Sequence, residues 1–108
     1  MARVAKRLAG PALVTNAAAT KYTVPALTKT IIRHIHVQNP SAAVVTFTLS
    51  IGADAAAVRL FDAYNIPAGT VLDHFCYYIV DAAEIVHALA GTNNIMTLTI
   101  DGDEIILG

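Results

Sequence analysis

The sequence has few charged residues, few aromatic residues and a single cysteine, and each shortage excludes a class of protein. Charged residues make up 14% of the 108 residues, against about 25% in an average soluble domain. Disordered chains combine low apolar content with high charge, so a chain that is 56% hydrophobic is not one of them. The length fits one domain with one core. The weakly charged surface of such a domain favours contacts with other subunits.

The cysteine content and the apolar runs exclude further classes. Cys76 is the only cysteine, so the chain has no intrachain disulfide and no CxxC pair for zinc or redox chemistry. It lies in HFCYYIV among aromatic residues, which favours a buried, inert thiol. No apolar run approaches the roughly 20 residues of a membrane span, and Gly10 and Pro11 interrupt the apolar part of the N-terminal segment. We therefore expect no membrane segment and no cleaved signal peptide.

The two signs of charge lie in different halves of the sequence. No acid precedes Asp54, and from there onward Arg59 is the only cation, so the halves carry +6 and −7 and sum to the formal −1. Either the halves interleave in one sheet and neutralise each other, or a basic N-terminal segment contacts an acidic surface on a neighbour. No specific nucleic-acid site is expected, because no aromatic residues alternate with the clustered cations Arg3, Lys6 and Arg7.

From about residue 20 onward, hydrophobic residues alternate as they do in β-strands. The clearest case is VVTFTLSI at 44–51, where large apolar residues alternate with threonine and serine. In TIIRHIHVQ at 30–38, strict alternation places Ile31, Arg33 and Ile35 on one face. Further strands are predicted at 58–64, 71–80 and 84–90. The segment DAAEIVHAL at 81–89 could also form a helix, but the turn signals on both sides favour a strand.

Turn signals separate these strands and define the fold class. Residues 67–69 fit a type II turn with a positive φ at Gly69. MTLTIDGDEIIL at 96–107 predicts a hairpin turning at Asp101-Gly102, and its acidic run is too short for a twelve-residue calcium loop. Seven to eight short antiparallel strands predict an all-β domain, a β-sandwich or jelly-roll-like barrel, over residues 21–108. Residues 1–20 show no clean period and are predicted to form an extended basic arm.

Two histidines have the spacing of a metal-binding pair. His34 and His36 lie two apart and therefore on one face of their strand. In cupin-type sites a glutamate follows such a pair by three or four residues, but residues 40–41 are proline and serine here. His74 or His87 could supply a third ligand, and nothing in the sequence requires it. We predict no metal site and no cofactor, with His34 and His36 as the weak candidates.

The sequence also lacks the signatures of an enzyme. It contains no GxSxG elbow and no glycine-rich phosphate loop, and Cys76 has no nucleophile signature around it. We predict no catalytic residue and a protein that is not an enzyme. The strand at 71–80 places Phe75 and Tyr77 on one face and Tyr78 on the other, so one set of rings is exposed. We assign Tyr78 to that contact surface, where it could also stack on a sugar.

Three stretches carry a resemblance to known proteins. They are LAGPALVTNAAATKYTVPALTKTIIRHIHVQNPS, FTLSIGADAAAVRLFDAYNIPAGTVLDHF and LAGTNNIMTLTIDGDEIILG. Together they resemble small structural proteins of tailed-bacteriophage virions, over about residues 8–108. The resemblance rests on turn and strand patterns such as TKYTVP, IPAG and the final LTIDGDE, and it brings no functional residues with it.

The resemblance implies a β-sandwich or jelly-roll module that is present in many copies on a virion. It implies a capsid decoration protein that docks on the major capsid protein, or alternatively a tail, tail-tip or fibre-associated receptor-binding module. A small H-x-H metalloenzyme is the third alternative. The virion, assembled in the host cytoplasm, would be its location, other virion proteins its partners, and a homo-oligomer, by analogy a trimer, its state.

The N-terminal arm is the expected contact element of such a protein. We expect Arg3, Lys6, Arg7 and Tyr78 at the interface, with the cations facing an acidic surface. On this hypothesis, deletion of residues 1–20 leaves the domain folded and abolishes assembly.

Overall fold

The computed structural model describes residues 2–107, which form eight β-strands and a single short 3₁₀ turn. The strands are β1 (Ala2–Leu13), β2 (Ala19–Thr23), β3 (Thr28–Gln38), β4 (Val45–Ile51), β5 (Arg59–Ile66), β6 (Val71–Val80), β7 (Ile85–Ala90) and β8 (Thr97–Ile106). The 3₁₀ turn (Ala56–Val58) precedes β5. Across residues 2–107, no helix has the length and apolarity to cross a membrane. The predicted all-β class is confirmed.

The strands form two four-stranded antiparallel sheets that pack face to face. One sheet has the order β1-β8-β3-β6 and the other the order β2-β7-β4-β5. The chain crosses from one sheet to the other repeatedly, which gives eight strands in the arrangement of a jelly roll. The core between the sheets is built from side chains such as Ile32, Phe47, Leu49 and Ile100, all fully buried. The predicted β-sandwich is confirmed.

The N-terminal segment forms a strand that belongs to the sandwich. β1 pairs with β8 from Ala2, opposite Ile106, to Leu13, opposite Thr97. Leu8 in this strand is part of the core. A domain boundary at residue 20, as predicted, would therefore divide β1 from the other strands of its own sheet. The register shifts twice between residues 7 and 12, which explains why the sequence shows no clean period there.

β3 contains a bulge that strict alternation did not predict. The pairing register shifts between Ile32 and His34 against both neighbouring strands. Ile32 and Ile35 both lie in the core, so the two residues between them, Arg33 and His34, both lie on the outside of the sheet. The bulge brings a cation and an imidazole side by side on that outer surface.

The hairpin predicted at Asp101-Gly102 is wrong, because β8 runs through these residues without turning. Gly102 lies between β1 and β3, where a Cβ atom would be 2.0 Å from the carbonyl oxygen of Ile31 and 2.9 Å from Cδ1 of Leu8. The role of Gly102 is therefore to let neighbouring strands approach closely, and it is not part of a turn. The turn predicted at 67–69 is present, with a φ of +68° at Gly69. The segment at 81–89 yields strand β7, as favoured, and not a helix.

Candidate functional site: the outer face of the β1-β8-β3-β6 sheet

Four of the residues that the sequence singled out lie on one surface, namely Arg3, Arg7, His34 and His36. This surface is the side of the β1-β8-β3-β6 sheet that faces away from the core, here called the outer face. From β1 toward β6 it presents three groups in turn. They are an ion-pair group around Asp103, a histidine cluster (His34, His36 and Asp73) and an apolar stripe (Val71, Phe75, Tyr77 and Ile79).

The ion-pair group joins β1, β8 and β3. Arg3 Nη2 lies 2.6 Å from Asp103 Oδ2, and Arg33 Nη1 lies 3.2 Å from the same oxygen. The hydrogen bond from Arg3, assisted by the positive charge of both guanidinium groups, lowers the pKa of Asp103. Arg3 is therefore neutralised within the chain.

A second network lies beneath this group and links the two sheets. Lys6 Nζ donates to Glu104 Oε1 at 3.1 Å, and the Tyr22 hydroxyl, which comes from the opposite sheet, donates to Oε2 of the same carboxylate. Thr30 Oγ1 lies 2.8 Å from the Tyr22 hydroxyl. The hydrogen bond from Tyr22 lowers the pKa of Glu104. Burial and the same bond raise the pKa of Tyr22 to about 12.

These contacts favour the first explanation of the charge asymmetry, in which the two halves interleave. Lys29 adds a further pair, with its Nζ 3.1 Å from Asp81 Oδ1. Of the three N-terminal cations assigned to an interface, Arg3 and Lys6 already have acidic partners in the chain. Arg7 is exposed opposite Asp101 and makes no ion pair with any residue from 2 to 107.

The apolar stripe lies on β6, at the edge of the sheet. Phe75 is 78% exposed, Tyr77 61% and Ile79 55%. The Arg33 guanidinium lies over the Tyr77 ring, 5.7 Å from its centroid. Large apolar side chains adjacent on one exposed edge have the chemistry of a contact surface.

Tyr78, which the sequence assigned to the contact surface, faces the core instead. Its ring packs against the core residues, and its hydroxyl lies 3.0 Å from His74 Nε2. Both faces of β6 carry apolar residues. The alternation of residues therefore places Tyr77 and Tyr78 on opposite faces, but it does not show which face is in the core. Cys76 shares the inner side of the strand, where burial raises the pKa of its thiol, in line with an inert cysteine.

The histidine cluster joins β3 and β6. His34 Nε2 lies 3.0 Å and His36 Nδ1 2.6 Å from one oxygen, Oδ1 of Asp73. These hydrogen bonds lower the pKa of Asp73, and the bond from His36 has the larger effect. The ring of Phe75 stacks on the His34 ring with centroids 4.4 Å apart and an interplanar angle of 11°. On the far side of His34, Nδ1 lies 3.7 Å from Asp101 Oδ2.

The third member of this cluster is not one that the sequence suggested. His74 points inward toward Phe61, and His87 lies in the other sheet, 2.9 Å from Thr20 Oγ1. Asp73 takes the third position because β3 and β6 pair with His36 directly opposite it. The i, i+2 spacing placed His34 and His36 on one face, but only the strand pairing identifies their acidic partner.

Comparisons with known proteins give a likeness of fold. No protein-family model matches the sequence, and no curated protein matches it. The structure is similar to a chain in the solved structure of infectious bursal disease virus, Gx strain, with a TM-score of 0.52 and 12% sequence identity. The match covers 99% of this chain and 32% of the viral one, so the chain spans about a third of that chain's length.

Proposed function

We propose that this protein is a non-enzymatic structural component of a tailed-bacteriophage virion, a capsid decoration protein that docks on the major capsid protein. The observation that carries the proposal is the exposed apolar stripe on β6, beside a surface whose cations are largely paired within the chain. The resemblance of the sequence to phage virion proteins supports it. So does the likeness of fold to a chain in the structure of infectious bursal disease virus.

The apolar stripe is the surface that meets the partner. Aromatic side chains dominate the energetics of protein interfaces, and Phe75 and Tyr77 supply two adjacent rings. Arg3 and Lys6 contribute less than the sequence suggested, because each already pairs with a carboxylate of its own chain. Arg7 remains available as a polar contact at the rim of the surface.

An oligomer that contacts a symmetric capsid at several positions binds the capsid more strongly than a single copy does. A decoration protein that associates with itself presents several stripes at once, so modest individual contacts add up through multivalency. We propose a homo-oligomer, a trimer by analogy with the threefold positions of capsid lattices. The protein would reside in the virion after assembly in the host cytoplasm.

Co-sedimentation with phage particles that lack this protein tests the proposal. Wild type is expected to bind to saturation in many copies per particle, and the double variant Phe75→Ser/Tyr77→Ser to bind at least about tenfold more weakly, because two interface anchors are lost. The control is Leu60→Ser/Tyr64→Ser, which removes exposed apolar groups from β5 in the other sheet. Equal binding by both variants would reject the stripe as the docking surface. A wild type that binds no particle would reject the decoration role.

The same exposed rings support the second candidate, a tail-tip or fibre-associated receptor-binding module. Phe75 and Tyr77 could stack on the apolar faces of sugars. Gold-labelled antibody on intact virions separates the two: label over the head supports decoration, and label at the tail tip supports the receptor module. A glycan-array signal that Tyr77→Ser removes would favour the second candidate.

A further inference from the structure

We propose that His34, His36 and Asp73 form a binding site for one divalent transition-metal ion, with Zn²⁺ the best match to the three donors. The site lies on the outer face, and its binding chemistry does not depend on the proposed virion role. It joins neighbouring strands, since both histidines come from β3 and the carboxylate from β6.

The donor atoms are already together. One ring nitrogen of His34, one of His36 and one carboxylate oxygen of Asp73 all lie within 4.8 Å of one another. Donors around a tetrahedral zinc ion, with bonds of about 2.0–2.1 Å, are separated by about 3.3 Å. The His36 and His34 nitrogens now lie 2.6 and 3.0 Å from the Asp73 oxygen, each within about 1 Å of that separation. The same atoms that now share hydrogen bonds would share the metal.

The chemistry of the donors selects the class of ion. Two imidazole nitrogens and one carboxylate oxygen suit borderline metals such as zinc. Calcium needs six to eight oxygen ligands, and this cluster supplies a single carboxylate. The three side chains are partly exposed, so the remaining coordination positions face outward, where water or an external donor completes the shell.

The surroundings hold His34 in the orientation that a metal ligand needs. The Phe75 ring covers one face of the imidazole, and this stacking does not block the ring plane, in which a metal binds. Beyond the opposite nitrogen, Asp101 Oδ2 lies 3.7 Å away. A carboxylate behind a ligating histidine is the usual outer partner in zinc sites, where it fixes the tautomer and strengthens the ligand.

Isothermal titration calorimetry of the full-length protein with ZnCl₂ tests the site. Wild type is expected to bind one Zn²⁺ per chain, and His36→Gln or Asp73→Asn to bind about 100-fold more weakly. The control is His87→Gln, which removes a histidine from the other sheet and should retain wild-type affinity. Absence of a stoichiometric site in wild type, or an equal loss in the control, would overturn the proposal. Circular dichroism confirms that each variant is folded.

Cobalt substitution provides a readout that does not depend on comparing affinities. Co²⁺ bound by two histidines and a carboxylate is expected to give visible absorption bands that Asp73→Asn abolishes. Asp101→Asn should keep these bands and weaken Zn²⁺ binding by about 10-fold, the lower end of the effect of an outer partner. If Co²⁺ gives the same spectrum with wild type and with Asp73→Asn, the site is wrong. An unchanged Zn²⁺ affinity in Asp101→Asn would show that Asp101 is not an outer partner of the metal site.

Discussion

At the scale of single residues, the Tyr22 hydroxyl supports a carboxylate that is nearly inaccessible to water. Glu104 accepts hydrogen bonds from Tyr22 and Lys6, and each donor offsets part of the cost of burying its charge. We predict that Tyr22→Phe lowers the free energy of unfolding by about 2 kcal/mol, the range for a hydrogen bond to a charged group. Urea denaturation measures this change. Tyr64→Phe, at an exposed position, is the control, and equal stability of Tyr22→Phe and wild type would contradict the prediction.

The same carboxylate makes stability depend on pH. The pKa of Glu104 is lowered in the folded protein by Tyr22, so its contribution to stability is fully present above the unfolded pKa of about 4.3 and is lost as the pH falls through the folded pKa. We predict that Glu104→Gln is less stable than wild type at pH 7 and loses less stability on acidification. Asp73 and Asp103 also have lowered pKa values, so part of the acid dependence remains. Identical pH profiles of urea midpoints in both proteins would contradict this.

At the scale of elements, Gly102 sets the distance between three strands. A methyl group there would meet the backbone of β3 and the Leu8 side chain of β1 at the same time. Backbone cannot move aside as a flexible side chain can, so we predict that Gly102→Ala costs about 3 kcal/mol of stability. Thermal unfolding measures this cost, with Thr97→Ala in the same strand as the control. A melting temperature equal to that of wild type would show that β8 can shift without cost.

β1 provides the sharpest difference between the sequence hypothesis and the structure. Deletion of residues 2–13 removes Leu8 from the core and leaves Asp103 without Arg3 and Glu104 without Lys6. We predict that the truncated chain does not fold cooperatively at 25 °C, because a buried carboxylate that has lost its cation and a lost strand of the sheet are each costly. Circular dichroism during thermal unfolding measures this, with Arg7→Ala as a control. A cooperative transition in the truncated chain would restore the separate arm.

Most strands could be predicted from the sequence, because alternation with period two is the direct result of burying one face. Three of the failed predictions share a cause. The bulge at Arg33 and His34, the position of Gly102 within β8 and the pairing of β1 all depend on which strand lies next to which. Strands that pair in the sheet are far apart in the sequence, so local sequence patterns do not identify them as neighbours. The candidate site has the same limit, since the histidine pair is visible in the sequence and Asp73 joins it only through the pairing of β3 with β6.

At the scale of the whole molecule, charge is mostly balanced within the chain and β6 exposes a stripe of large apolar side chains at an edge of its sheet. We predict that the proposed self-association depends little on salt, because it would bury apolar surface and not depend on attraction between charges. Light scattering coupled to size exclusion at about 0.05 and about 0.5 M NaCl, between which the Debye length falls about threefold, measures the oligomeric state. Tyr77→Ser should reduce association at both concentrations. Dissociation of the wild type only at high salt would indicate charge-driven contacts.

The pairing of β1 with β8 also has a consequence for synthesis on the ribosome. β1 pairs with β8, the strand farthest from it in sequence among the described residues, since Ala2 lies opposite Ile106. Until residues 97–106 have been translated, β1 has no neighbour and β3 lacks one of its two, so the nascent sandwich cannot close. Each copy therefore completes its outer face only after β8 has been translated, which keeps chains that lack β8 out of any assembly that recognises that face.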